Sequence, residues 1–143
     1  MIIEQLFTSF IASAAFGLIF NVPKRTLIHC GAVGMIGWLV YVSCIELSLD
    51  AIPATLIAAF VVTVISQLFS KLYKTPIIVF SVAGIIPLVP GGLAYDAMRN
   101  VVEDNYDSAV QLAVKAFMIS GAIAIGLVFS EVVNQIIRKS ERH

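Results

Sequence analysis

The chain has 143 residues, 59 % of them hydrophobic and only 13 % charged, with nine basic and nine acidic side chains that cancel. Soluble domains carry roughly 45–50 % apolar and about 25 % charged residues, so this chain has too few polar groups to cover a small domain in water. The same figures exclude a nucleic-acid binder, which needs a clustered excess of Lys and Arg, and a disordered chain, which needs low hydrophobicity and high charge.

Residues 2–20 form the first apolar run, broken only by Glu4, Gln5 and a few small hydroxyls. No basic region precedes it, as a secretory signal would require, so it reads as a retained span. Asn21-Val-Pro-Lys-Arg25 interrupts the run; Asn21 reads as a cap and Pro23 fits the first turn of a new helix. The second span covers about residues 26–45. Its cysteines, Cys30 and Cys44, lie about 21 Å apart along a helix axis, beyond the roughly 7 Å that a disulfide allows. With only His29 nearby they make no zinc set, and both read as small apolar fillers. His29, near the mouth of this span, has the chemistry of a proton relay and also the plainer role of bonding a neighbouring carbonyl.

Asp50 with Pro53 marks the next helix start, and residues 52–69 form the third span. Thr75 as cap and Pro76 at the first position restart a helix. The fourth run, residues 77–86, covers only about 15 Å, half of a hydrocarbon core about 30 Å thick, before Pro87-Leu-Val-Pro90-Gly91-Gly92 breaks it. Beyond the break, Asp96 and Arg99 at i,i+3 and Arg99 and Glu103 at i,i+4 are spaced to pair. Ser108-Ala-Val-Gln111 has the capping-box pattern that opens the fifth run, residues 109–137, and a basic tail follows. The fold class is therefore an all-α integral membrane protein: a single transmembrane domain over residues 1–143, with about five helices, the fourth broken at its Pro/Gly motif.

With five crossings and the N-terminus outside, Lys24, Arg25, Lys71, Lys74, Arg138, Lys139 and Arg142 all lie on the cytoplasmic side, seven of the nine basic residues. That is the bias that cytoplasmic loops carry. A re-entrant fourth run would put the tail outside and lose it.

Gly31, Gly34 and Gly37 recur every third residue without the spacing of a dinucleotide fingerprint, and suit close helix packing. Thr55, Ala59, Thr63, Ser66 and Ser70 on the third span, and Ala122 and Gly126 on the fifth, do the same; lining of a polar path is the alternative. So many small faces exceed what five helices satisfy, so a partner chain, a homo-oligomer or both is expected. Lys115 either snorkels to the headgroups or supplies a functional charge inside the bundle. The 87–92 break carries most information. Freed carbonyls must be buried in protein or face water, and transporters place substrates and ions at such breaks, facing the positive end of the following half-helix. The pathway candidates are accordingly Pro87, Pro90, Gly91, Gly92, Tyr95, Asp96 and Arg99, with Asn21 and Lys115 elsewhere.

The sequence resembles the threonine/serine exporter (ThrE) family, specifically its small YjjB-like half. The likeness rests on Asn21-Val-Pro23, Gly34-Met-Ile-Gly37-Trp38-Leu-Val-Tyr41, and Ile86-Pro-Leu-Val-Pro-Gly-Gly92 followed by Tyr95, and runs from about Phe16 onward. The resemblance implies a multi-pass plasma-membrane exporter of small metabolites, threonine and serine in some members and succinate in others. It also implies an ion-gradient drive and a longer YjjP-like partner chain. No cofactor, metal or covalent catalysis is expected, since the chain has no Gly-x-Ser-x-Gly or His-Glu-x-x-His. The competing reading is a structural or channel-forming membrane subunit.

Overall fold

The computed structural model describes residues 2–141, all its regular elements helical. They are α1 (Ile2–Ile19), a 3-10 turn (Lys24–Thr26) leading into α2 (Leu27–Glu46), α3 (Ala51–Tyr73), α4 (Ile77–Gly84), a second 3-10 turn (Ile86–Leu88), α5 (Gly91–Val102) and α6 (Tyr106–Glu141). Arg142, counted above in the basic tail, lies outside the described residues. Helices α1, α2, α3 and α6 are each long and apolar enough to cross a membrane, and α4 with α5, bent by 49°, makes a fifth span if taken as one.

Helices α2 and α3 form the centre. Helix α1 packs on α2, α6 on α3, α4 against both central helices, and α5 chiefly against α6. The core is built largely from small side chains, with Cys30, Val33, Ala58, Ala59 and Val62 closed over Phe80 and Ala83. Large apolar residues instead face outward, Ile3 and Phe117 being about 80 % exposed. This inside-out distribution suits lipid, where packing of small residues rather than water exclusion holds helices together.

Several local expectations shift. Asn21 caps the end of α1 rather than the start of α2: at φ 62 it takes the left-handed conformation, and the Val22 amide returns to the Gly17 carbonyl at 3.1 Å, as a helix C-terminal motif requires. Asp50 does stand at the N-cap of α3. At α4 the cap position falls on Pro76, not Thr75, and the Thr75 hydroxyl donates to the Tyr73 carbonyl. The fourth run leaves α-helical geometry at Gly84, before Ile86. Helix α6 opens at Tyr106, where the Asn105 carbonyl accepts the Ala109 amide at 3.1 Å, so the pattern at 108–111 lies inside the helix. Both cysteines are free and buried, and the Cys30 thiol donates to the Val79 carbonyl at 3.4 Å.

The small faces that suggested a partner are filled from within the chain. A Cβ on Gly31 would meet the Phe10 ring at 2.8 Å, one on Gly34 would overlap the Ser13 hydroxyl, and one on Gly37 would overlap Val62. Gly126 lies against the Leu56 carbonyl. The hydroxyls of Thr55, Thr63 and Ser66 are buried and return to carbonyls of their own helix at 2.6–2.9 Å, which satisfies them locally.

Candidate functional site

The break follows from the prolines. Pro87 has no amide to give and its ring obstructs the carbonyl four residues earlier, so the chain tightens: the Leu88 amide reaches Ile85, Val89 reaches Ile86 and Gly91 reaches Val89, at 2.8–3.2 Å. Helix α5 then begins with the Ala94 amide on the Pro90 carbonyl. No backbone amide among the described residues donates to the Pro87 or Leu88 carbonyl. The Gly92 and Leu93 amides in the first turn of α5 are likewise without a backbone partner.

Around this break the bundle is open. A cavity of about 410 Å³ is lined by Glu4, Gln5, Thr8, Ser9 and Ala12 of α1, Trp38 of α2 and Pro87. A second, of about 240 Å³, shares Trp38 and Pro87 and continues to Tyr41, Thr55, Pro90, Gly92 and Leu93. Trp38 is thus the wall between them. Its ring stacks on Tyr41 at 5.1 Å, and its Nε1–H donates to Gln5 Oε1 at 3.3 Å. Gln5, Ser9 and Ser13 fall at four-residue intervals, one face of α1. Ser9 and Ser13 are buried, and the Ser13 hydroxyl has no hydrogen-bond partner among the described residues.

This arrangement offers an amide, hydroxyls, free carbonyls and one carboxylate to a cationic or hydroxylated group. It also presents the amide end of a twelve-residue helix to an anionic one. It has the donors and acceptors to hold both ends of a small zwitterion.

Of the residues singled out in the sequence, Pro87, Pro90 and Gly92 line these cavities. Gly91, with Pro90, borders a largely apolar cavity of about 440 Å³ between α5 and α6. Tyr95, Asp96 and Arg99 are exposed and border none of them. Arg99 pairs with Glu103 at 3.1 Å and not with Asp96; the longer glutamate reaches the guanidinium, and the shorter aspartate does not. Asn21 is at the other end of α1. Lys115 is exposed on α6, one turn before Ile119, which shares a cavity with Thr55. Counted back one turn along both helices, Lys115 is level with Ala51 at the start of α3, and its side chain lies outside the bundle interior.

Glu4, Gln5, Ser9, Ser13, Trp38 and Tyr41 were not singled out as site residues. The four-residue polar spacing on α1 was a usable signal, as was a tryptophan in an apolar span, whose N–H needs an acceptor.

Residues 5–133 match the sequence model of a family described as Threonine/Serine exporter, ThrE. An uncharacterized protein of Haemophilus influenzae is 29 % identical over 135 residues, which cover 89 % of this chain and 45 % of the relative. The chain therefore spans less than half the length of that relative. No solved structure matches. The matched stretch contains α2 to α5, all the lining of the two proline-flanked cavities but Glu4, and most of α1 and α6, and on that ground this multi-helix membrane protein belongs to the threonine/serine exporter family.

Proposed function

We propose that the chain is a membrane subunit of a secondary exporter for small polar metabolites, an amino acid such as threonine or serine or a dicarboxylate such as succinate. The observation that carries this reading is the cleft at the 87–92 break, where the unpaired Pro87 and Leu88 carbonyls meet Gln5, Ser9 and Trp38 within an otherwise apolar bundle. Such polarity is expensive in hydrocarbon and is supported where it lines a substrate path. Export proceeds by alternating exposure of this cleft, driven by a proton gradient, without covalent chemistry. The cell membrane is the site of action, with the N-terminus outside and the C-terminus cytoplasmic.

The relative from Haemophilus influenzae carries more than half of its length beyond the matched stretch. That supports a larger, YjjP-like membrane subunit, or further copies of this chain, completing the exporter here. Efflux from proteoliposomes loaded with labelled threonine, serine or succinate tests the reading, with and without the larger subunit and with an imposed proton gradient. Gradient-dependent efflux is the expected result. Passive ion current without coupled efflux would replace the exporter with a channel, and flux that is the same with and without this chain would leave it a structural role.

A further inference from the structure

A separate cavity of about 260 Å³ lies at the other end of the central helices, between the start of α2 and the end of α3, lined by Arg25, Thr26, His29 and Tyr73. The His29 ring is held among aromatic side chains: Tyr73 at 4.2 Å between centroids, Phe69 at 5.6 Å and Phe80 at 6.5 Å. Its Nδ1 is buried and has no hydrogen-bond partner among the described residues. Buried ring nitrogens are ordinarily paired, so His29 stands at the cavity with hydrogen-bonding capacity that the chain itself leaves unused. Arg25 makes no ion pair among the described residues. Lys24, Lys71 and Lys74 stand in the same segments, and residues 22–30 and 69–80 contain no Asp or Glu. The electrostatic field there favours an anion.

We propose that this cavity is an oxyanion site that takes the carboxylate of a small acid or the phosphate of a lipid headgroup. Arg25 supplies the countercharge, its planar fork matching either oxyanion, and His29 and Tyr73 supply hydrogen bonds from a ring cluster fixed in advance. The volume lies below the roughly 300–1,000 Å³ of drug-sized pockets, which limits the occupant to one small acid or one headgroup. About 13 Å of α2 separates His29 from Trp38, so the site is distinct from the cleft at the break. It stands whether or not the chain exports anything.

The test is nitrogen-15 NMR of the His29 ring in the full chain, held in phosphatidylcholine nanodiscs and titrated with succinate and, separately, inorganic phosphate. A parallel sample contains phosphatidylglycerol. A saturable shift with either soluble anion supports a free-acid site, and a shift seen only with phosphatidylglycerol supports the headgroup as its source. In both cases Arg25→Gln, an exposed position whose change leaves packing intact, weakens the response about tenfold or more. Trp38→Phe leaves it unchanged. No shift with any of the three probes, or equal affinity in Arg25→Gln, would overturn the proposal, as would loss of the response in Trp38→Phe with Arg25 intact.

Discussion

The Ser13 hydroxyl fills the space that a β-carbon at position 34 would occupy, so α1 and α2 meet where one residue has no side chain and the other a very short one. Gly34→Ala forces the two helices apart or twists Ser13 from its rotamer, at a cost of about 1–3 kcal/mol. Ser13→Gly vacates the same space. The double variant Ser13→Gly, Gly34→Ala should therefore recover most of the stability lost in Gly34→Ala alone. Thermal unfolding in detergent across the four combinations measures the coupling; additive losses would show that the contact is not tight.

The Trp38–Gln5 hydrogen bond joins α2 to the polar face of α1 across the cleft. Trp38→Phe keeps an aromatic face for Tyr41 but removes the donor. Efflux in the reconstituted system should fall at least several-fold while insertion is unchanged. Asp96→Asn should leave efflux near the wild-type value, because Asp96 is exposed and outside the cleft, and its neighbour Arg99 is engaged by Glu103 in an exposed i,i+4 pair of about 0.3–0.5 kcal/mol. The reverse ranking of these two variants would move the pathway to the outer face of α5.

How far the sequence was readable follows from which signals are local. Apolar runs, Asp50 and the Pro87–Pro90 interruption act within a few residues, and they placed the spans and the break. The site needed distances that one strand of text does not hold. Gln5 and Trp38 are 33 residues apart, and only the close α1–α2 approach through Gly34 brings them together. The expected grouping of Asp96 and Arg99 with the break failed because the 49° bend carries α5 away from α2 and onto α6. The small-residue faces were visible, but which helix fills each one was not, since a glycine's partner is set by packing rather than by its own spacing.

Orientation has its own test. If the N-terminus is outside, a cysteine placed by Asn105→Cys, in the turn between α5 and α6, should react with an impermeant maleimide from the outer face. One placed by Ser140→Cys, in the last turn of α6, should react only after the inner face is opened. Cys30 and Cys44 are buried and give little background. Labelling of both introduced sites from one face would mean that α6 does not cross, which the five-span arrangement does not survive.

Gly91 and Gly92 separate a structural break from a working one. No glycine in the described chain has a positive φ, and a Cβ on either residue would meet nothing within 4 Å. Neither glycine is thus required for the turn, which the prolines already enforce. Alanine at both positions removes unfolded-state freedom and favours the start of α5, by up to about 1 kcal/mol each. The double variant Gly91→Ala, Gly92→Ala should therefore unfold at the same or a higher temperature than wild type. If alternating exposure hinges at the break, the stiffer variant should also export more slowly, with a lower maximal rate and little change in the half-saturating substrate concentration. Thermal unfolding and efflux measured on the same preparation distinguish the cases: a stabilised variant with undiminished export would show that the break bends no further during transport and that these glycines serve only to leave the helix end uncovered.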